Sequence, residues 1–322
     1  MNERTLPLKI EFNQACLRRI YPGHPKGPLI ETDIGRTEAG YYSEITLDSY
    51  LQYLPEKNYY IFKGLRLPTT RGTYFQIDSL ILSPTHIPII EAKNLSGTLD
   101  IDENCDQLIQ NGEIGYENPM LQAEFQLREL RQWLIRNKFP CKNLEYLVGM
   151  MNKNCILKII PGSEAQFRVC RGRRVIDRLN SFSAKYQDII FPPEILRKMC
   201  KLLLKSHVQP SYDIEKCFKI SRSELLPGVH CPFCWFLGMV YRNGTWHCPK
   251  CKEVSKDAHM HTLKDYFLLH GAEITNRQFR EFLQLGHNSV NIASKMLNNL
   301  ELPHTNAKKN RVYKLPKTLF FN

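Results

Sequence analysis

Gln76-Ile77-Asp78-Ser79-Leu80-Ile81-Leu82-Ser83, followed by Ile87-Pro88-Ile89-Ile90-Glu91-Ala92-Lys93-Asn94, decides the fold. Two apolar runs, about 73–82 and 87–94, flank Ser83-Pro84-Thr85-His86, a turn composition, and read as adjacent strands. Asp78, Glu91 and Lys93 are the charged residues inside these runs. Successive strand residues face opposite ways, so Glu91 and Lys93 share a face and Ala92 points away. An in-register hairpin brings Asp78 to Glu91.

Burying two carboxylates and an ammonium in an apolar strand pair is costly unless they are paired. One reading is a structural ion pair between Lys93 and either acid. The other is a site for Mg²⁺ or Mn²⁺, hard cations that prefer oxygen ligands, built from Asp78, Glu91 and the Ala92 carbonyl. Lys93 then positions or deprotonates a water, or holds a phosphate.

Asp78 followed by Glu91-x-Lys93 on the next strand resembles the signature of PD-(D/E)xK nucleases. The nearer resemblance is to the nuclease-related domain (NERD) family. It rests on the Gln-Ile-Asp run, the Ile-Glu-Ala-Lys-Asn run with Ser96-Gly97, and Asn118-Pro119-x-x-Gln122. An upstream Ser43-Glu44 stands where the family usually has Gly-Glu, and the similarity spans about 37–157. The resemblance implies a restriction-endonuclease-like mixed sheet flanked by helices. It also implies that Glu44 points back at the metal and Gln122 at the substrate phosphate or the site. Without it, both read as helix-surface residues.

The 322 residues allow two or three small domains. No apolar run approaches the roughly 18 residues of a membrane span, and Met1-Asn2-Glu3-Arg4-Thr5 lacks signal-peptide blocks. A cytoplasmic location and no membrane partner are expected. Charge is uneven: residues 1–122 carry 11 Lys and Arg against 16 Asp and Glu, residues 123–205 carry 17 against 7. An acidic part holding the metal site beside a basic part suits a polyphosphate such as DNA, with RNA left open.

The expected organisation is an N-terminal arm at 1–35, extended over 22–35, the nuclease-like domain at 36–206 and a connector at 207–226. A metal-binding module at 227–256 and a helical module at 257–322 follow. Helices are expected at 10–20, 37–54, 119–138 and 193–205, and further strands at 58–67, 98–102, 144–151 and 155–160 in one sheet. Arg128, Arg131 and Arg136 on the 119–138 helix, and Arg171, Arg173 and Arg174 in a basic cluster, are candidate backbone contacts. Each also reads as solvated surface.

Eleven cysteines are present, seven of them scattered, which fits reduced thiols. The other four form Cys231-Pro-Phe-Cys234 and Cys248-Pro-Lys-Cys251, with Asn243-Gly244 as a hairpin turn between them. Two such knuckles suit a structural four-thiolate Zn²⁺ site, a zinc ribbon resembling those of topoisomerases, with His247 a spare ligand. Short helices at 263–269, 275–283 and 289–300, then Lys308, Lys309 and Arg311 leading into a strand, suggest a winged helix touching DNA. The same helices read as a packing or homodimer module.

The leading expectation is a Mg²⁺-dependent endonuclease, a hydrolase of DNA phosphodiesters. The alternatives are a non-catalytic DNA-binding adaptor on the same scaffold and a zinc-ribbon protein-interaction factor.

Overall fold

The computed structural model describes residues 4–55, 59–103, 105–306 and 311–315. They form two compact units, Met1–Leu6 with Glu38–Pro210, and Pro7–Thr37 with Ser211–Asn322. Helices α1 (Leu8–Arg19) and α2 (Gly27–Leu51) precede the first strand. The extended arm expected at 22–35 is therefore corrected. Gly27-Pro28 starts a helix rather than breaking one, because proline's fixed φ and missing N–H suit a first helical turn.

In the first unit, β1 (Tyr60–Pro68), β2 (Tyr74–Leu82) and β3 (Ile87–Lys93) form an antiparallel meander. Three short strands follow, β4 (Gly97–Asp102), β5 (Gln107–Gln110) and β6 (Ile114–Glu117), then α3 (Pro119–Arg136). That helix returns the chain to β7 (Leu144–Met150), parallel to β3. After β8 (Cys155–Lys158) and α4 (Ala165–Arg168) come β9 (Val169–Arg171), α5 (Arg174–Lys185) and α6 (Pro193–Ser206). The main sheet runs β1-β2-β3-β7-β9.

One correction concerns the strands at 98–102 and 155–160. β4 and β8 leave the main sheet and form a second one, β6-β5-β4-β8. The α5 helix was also missed: Val175, Leu179 and Phe182 give it an apolar face at helical spacing, next to the Arg171–Arg174 cluster.

The main sheet is covered on both faces. Leu80, Leu82, Ile89, Tyr146 and Val148 pack against α3 and α6, while Ile81, Ile90, Ala92 and Leu147 pack against α2 and α5. All of β7 is buried, as expected of a parallel strand between two helical layers. The Ile89-Ile90-Glu91-Ala92 alternation thus puts Glu91 on the α3 side and Ala92 on the α2 side.

The second unit contains α7 (Ile214–Phe218), β10 (Val240–Arg242), β11 (Thr245–His247), β12 (Val254–Ser255) and α8 (His259–His270). Then come β13 (Glu273–Thr275), α9 (Asn276–Leu283), α10 (Val290–Asn299) and β14 (Val312–Lys314), which pairs antiparallel with β13. The stretch read as a connector is packed structure: Ile214, Phe218, Ile220 and Leu225 share a core with Phe12, Cys16, Ile30 and Leu269. The cysteine hairpin and the tail helices also share a core, through Cys231, Trp246 and Cys248 with Leu263, Phe267 and Phe279.

A buried ion pair ties α1 to α8. Arg19, 0 % exposed, donates from Nε to Asp265 Oδ2 at 2.9 Å and from Nη1 to the Gly228 carbonyl at 2.7 Å. Arg18 Nη2 donates to Asp265 Oδ1 at 2.7 Å. Removing one partner strands the other charge away from water. Asp265→Ala is expected to lower stability by about 3–5 kcal/mol, read as a drop in the urea midpoint. A midpoint unchanged by the substitution would show that the pair contributes nothing.

Candidate active site and metal centre

The site in the first unit begins at a disturbance in β2. Phe75 and Ile77, then Leu80 and Leu82, all reach the same core, so strict alternation slips at Asp78-Ser79. The β1–β2 ladder pairs Lys63 with Ser79 and Leu65 with Ile77 but skips Gly64 and Asp78 between them, and Gly64 takes φ +59°, a left-handed conformation that glycine adopts without strain. Pairing of β2 with β3 is recorded at Ser79↔Ile90 and Leu80↔Ile89, which sets Asp78 against Glu91 one step on. There the Asp78 side chain takes over the bonding: Oδ2 accepts from the Ala92 N–H at 2.9 Å. Asp78 and Glu91 thus meet as the hairpin reading requires.

Glu91 is 3 % exposed, and each of its oxygens is engaged. Oε1 accepts from Lys93 Nζ at 2.8 Å, and Oε2 from Gln126 Nε2 at 2.7 Å. Lys93 Nζ also donates to Gln122 Oε1 at 2.6 Å. Both glutamines come from the start of α3. Asn118 Oδ1 caps that helix by accepting from the Met120 N–H at 3.0 Å, and Pro119 occupies its first turn. Gln126 escaped the sequence reading, although it lies four residues after Gln122 and so on the same helix face. Asn94 ties α2 to the turn after β7, donating to the Ala39 carbonyl and accepting from Asn152 Nδ2, each at 2.9 Å.

Glu44, on α2, belongs to the same electrostatic group. Burial pushes its carboxyl up to about 7 against the pull of Arg4, and Glu91 and Asp48 add to the push. Burial also holds Asp78 well above the usual carboxylate range, reinforced by Glu91 and Glu44 and opposed by the Ala92 N–H and Lys93. Lys93 pairs with Glu91 and Arg4 with Glu44, which leaves the three carboxylates one positive charge short, and a divalent cation with oxygen preference fits that deficit.

Arg4, which no pattern in the sequence marked, reaches this group. Its guanidinium pairs with Glu44, donates from Nε to Asp48 Oδ2 at 3.0 Å and from Nη2 to the Asp78 carbonyl at 3.0 Å. Lys63 also pairs with Asp48, at 3.2 Å.

The basic candidates divide. Lys93, Met150 and Arg171 are aligned at the ends of parallel β3, β7 and β9. Two strand spacings put Arg171 about 10 Å from Lys93. Arg171, Arg173 and Arg174 are exposed there; Arg171 Nη2 donates to the Lys153 carbonyl and Arg174 Nη1 to Asp177, each at 3.0 Å. Arg128 and Arg131 are exposed further along α3, Arg131 about half a turn round the axis from Gln122, so they do not join the carboxylates. Arg136 Nη2 donates to the Pro68 carbonyl at 3.0 Å. Arg311 precedes β14 in the second unit and is half-buried; Lys308 and Lys309 lie outside the described residues.

In the second unit, the ligand atoms of Cys231, Cys234, Cys248 and Cys251 all lie within 4.8 Å of one another. Among the described residues no other group of three or more His, Cys, Asp or Glu is so closed, the Glu44–Asp78–Glu91 set included. The Sγ atoms of Cys231 and Cys251 are 3.5 Å apart, those of Cys234 and Cys248 3.6 Å. Ligands at about 2.3 Å on a tetrahedral ion stand roughly 3.8 Å from each other, so the four thiols could hold such a metal ion. The β10–β11 hairpin carries the second knuckle, and Trp246 braces it, 1 % exposed, with Nε1 donating to His259 Nδ1 at 3.2 Å. His247 is outside the cluster, with Nε2 at 2.9 Å from Thr245 Oγ1.

Comparison with known proteins bears on the first unit. Residues 39–150 match the family model of the nuclease-related domain. An uncharacterized protein of Bacillus anthracis is 22 % identical over 169 residues, which cover 52 % of this chain and 75 % of that protein. No solved structure matches. No helix among the described residues is long and apolar enough to cross a membrane.

Proposed function

We propose that the protein is a cytoplasmic Mg²⁺-dependent (or Mn²⁺-dependent) nuclease that hydrolyses phosphodiester bonds in DNA. The observation that carries this reading is the meeting of Asp78, Glu91 and Lys93 at one strand edge, within the stretch that matches the nuclease-related domain. The order helix, antiparallel meander, helix, parallel strand in α2 to β7 supports a restriction-endonuclease-like core.

Asp78, Glu91 and the Ala92 carbonyl would hold the cation, with Glu44 behind them. When bound, it would supply Lewis-acid charge to a scissile phosphate. Lys93 has two of its three N–H groups committed, to Glu91 and Gln122, and the third is left for the attacking water or a phosphate oxygen. Gln122 and Gln126 fix Lys93 and Glu91 in that geometry. Hydrolysis forms one water O–P bond and breaks one ester O–P bond, with the water proton passing to a base and the leaving oxygen gaining one. The exposed Arg171, Arg173 and Arg174 offer contacts for flanking phosphates.

In the second unit, two Cys-x-x-Cys knuckles around a hairpin support a structural zinc ribbon. The order α8, β13, α9, α10, β14 supports a winged-helix arrangement, with Arg311 beside its last strand. Both are read as nucleic-acid contacts.

The test is digestion of supercoiled plasmid with Mg²⁺ and with EDTA, by the wild type and by Lys93→Ala. Nicking is expected with Mg²⁺ and none with EDTA. Lys93→Ala is expected to cut about 10²–10⁴-fold more slowly while retaining salt-dependent binding. Binding without cleavage by the wild type would favour a non-catalytic adaptor instead.

A further inference from the structure

Arg4 reaches the acidic site from far away in sequence, and its contacts are those of a bound cation. Nε and Nη2 grip both oxygens of Asp48, at 3.0 and 3.2 Å, Nη1 pairs with Glu44, and Nη2 touches the Asp78 carbonyl. The side chain is 7 % exposed. A β-carbon placed on Gly64 would lie 3.6 Å from Arg4 Nη1, so the guanidinium passes close to Gly64, at the break in the β1–β2 ladder that also skips Asp78. A planar fork with five donors suits this bridging of two carboxylates and a carbonyl better than a point charge would.

Charge points the same way. Four carboxylates (Glu44, Asp48, Asp78 and Glu91) face three side-chain cations (Arg4, Lys63 and Lys93). One negative charge is left over. A single divalent cation together with one phosphodiester anion brings the group to neutrality, whereas two divalent cations leave it two charges positive in a half-buried setting.

We propose that Arg4 is the resident counter-cation of the active site. Its guanidinium fills the place beside Glu44 that a second divalent ion would occupy, so the site takes one ion, at Asp78 and Glu91. Arg4 is thereby a positioning residue, turning Glu44 from a metal ligand into a brace. This rests on the proposed nuclease reading.

The experiment is Mn²⁺ titration of the full, zinc-loaded chain, with free Mn²⁺ counted by electron paramagnetic resonance. Wild type is expected to bind one Mn²⁺, and Asp78→Asn to lose it. Arg4→Gln is expected to bind two, and Arg4→Gln with Glu44→Gln to return to one. Arg4→Lys, which keeps the charge, is expected to stay at one. Two ions in the wild type overturn the assignment of Arg4 without needing any variant to fold. A folded Arg4→Gln that still binds one ion overturns it as well. No Mn²⁺ uptake by the wild type overturns the proposed nuclease reading, and this inference with it.

Discussion

Asp78→Asn is expected to slow cleavage severely while leaving the fold intact and raising its metal-free stability. The amide oxygen of Asn can still accept the hydrogen bond that Asp78 Oδ2 takes from the Ala92 N–H at 2.9 Å, so β2 keeps its hold on β3. The charge is lost. A cation held there supplies several kcal/mol of transition-state stabilisation, and each 1.36 kcal/mol is tenfold in rate, so the plasmid-nicking rate should fall by roughly 10³-fold. Stability should move the other way, because burial and repulsion from Glu91 and Glu44 make a charged Asp78 unfavourable in the absence of metal. Thermal melting in EDTA should therefore show a higher midpoint for the variant. A variant that cuts within tenfold of the wild type would remove Asp78 from the chemistry. One that melts far below it would show that the carboxylate serves the fold.

What the sequence disclosed and what it hid differ in a physical way. Asp78, Glu91 and Lys93 were legible because strand periodicity and a short turn bring them together over fifteen residues. The α3 helix was legible because Asn118 and Pro119 announce its start and Leu130, Trp133 and Leu134 keep helical spacing. The cysteine cluster was legible from spacing alone. Arg4 was not, since its partners Glu44, Asp48 and Asp78 lie forty or more residues away and a contact of that range leaves no local pattern. The packing of α1 against α8 was hidden for the same reason, as a buried Arg19–Asp265 pair looks like two surface charges until the chain is folded. Gly27-Pro28 misled because the same dipeptide composition that ends a helix can also begin one. The departure of β4 and β8 into a second sheet has no signature in either strand, because alternation reports that a face is covered and not by what.

With zinc in the cysteine cluster as proposed, its removal by a strong chelator, or Cys231→Ser, is expected to unfold the second unit. Cys231 and Cys248 are 0 % and 2 % exposed, and they pack in the same core as Trp246, Leu263, Phe267 and Phe279. Structural zinc is worth about 10–16 kcal/mol in isolated fingers at neutral pH, and a whole domain is typically stable by about 5–15 kcal/mol, so the core is not expected to outlast the proposed ion. The loss should spread past residues 231–251 into α8 and α9, because they share that core. Trp246 is the reporter: buried, and held to His259, it should shift its emission to the red as zinc is released to a colorimetric dye. Hydrogen exchange should show α8 and α9 losing protection, while β3 and β7, in the first unit's own core, keep theirs. Complete zinc release with Trp246 emission and α8 protection unchanged would mean that the four thiols decorate a core which stands without them.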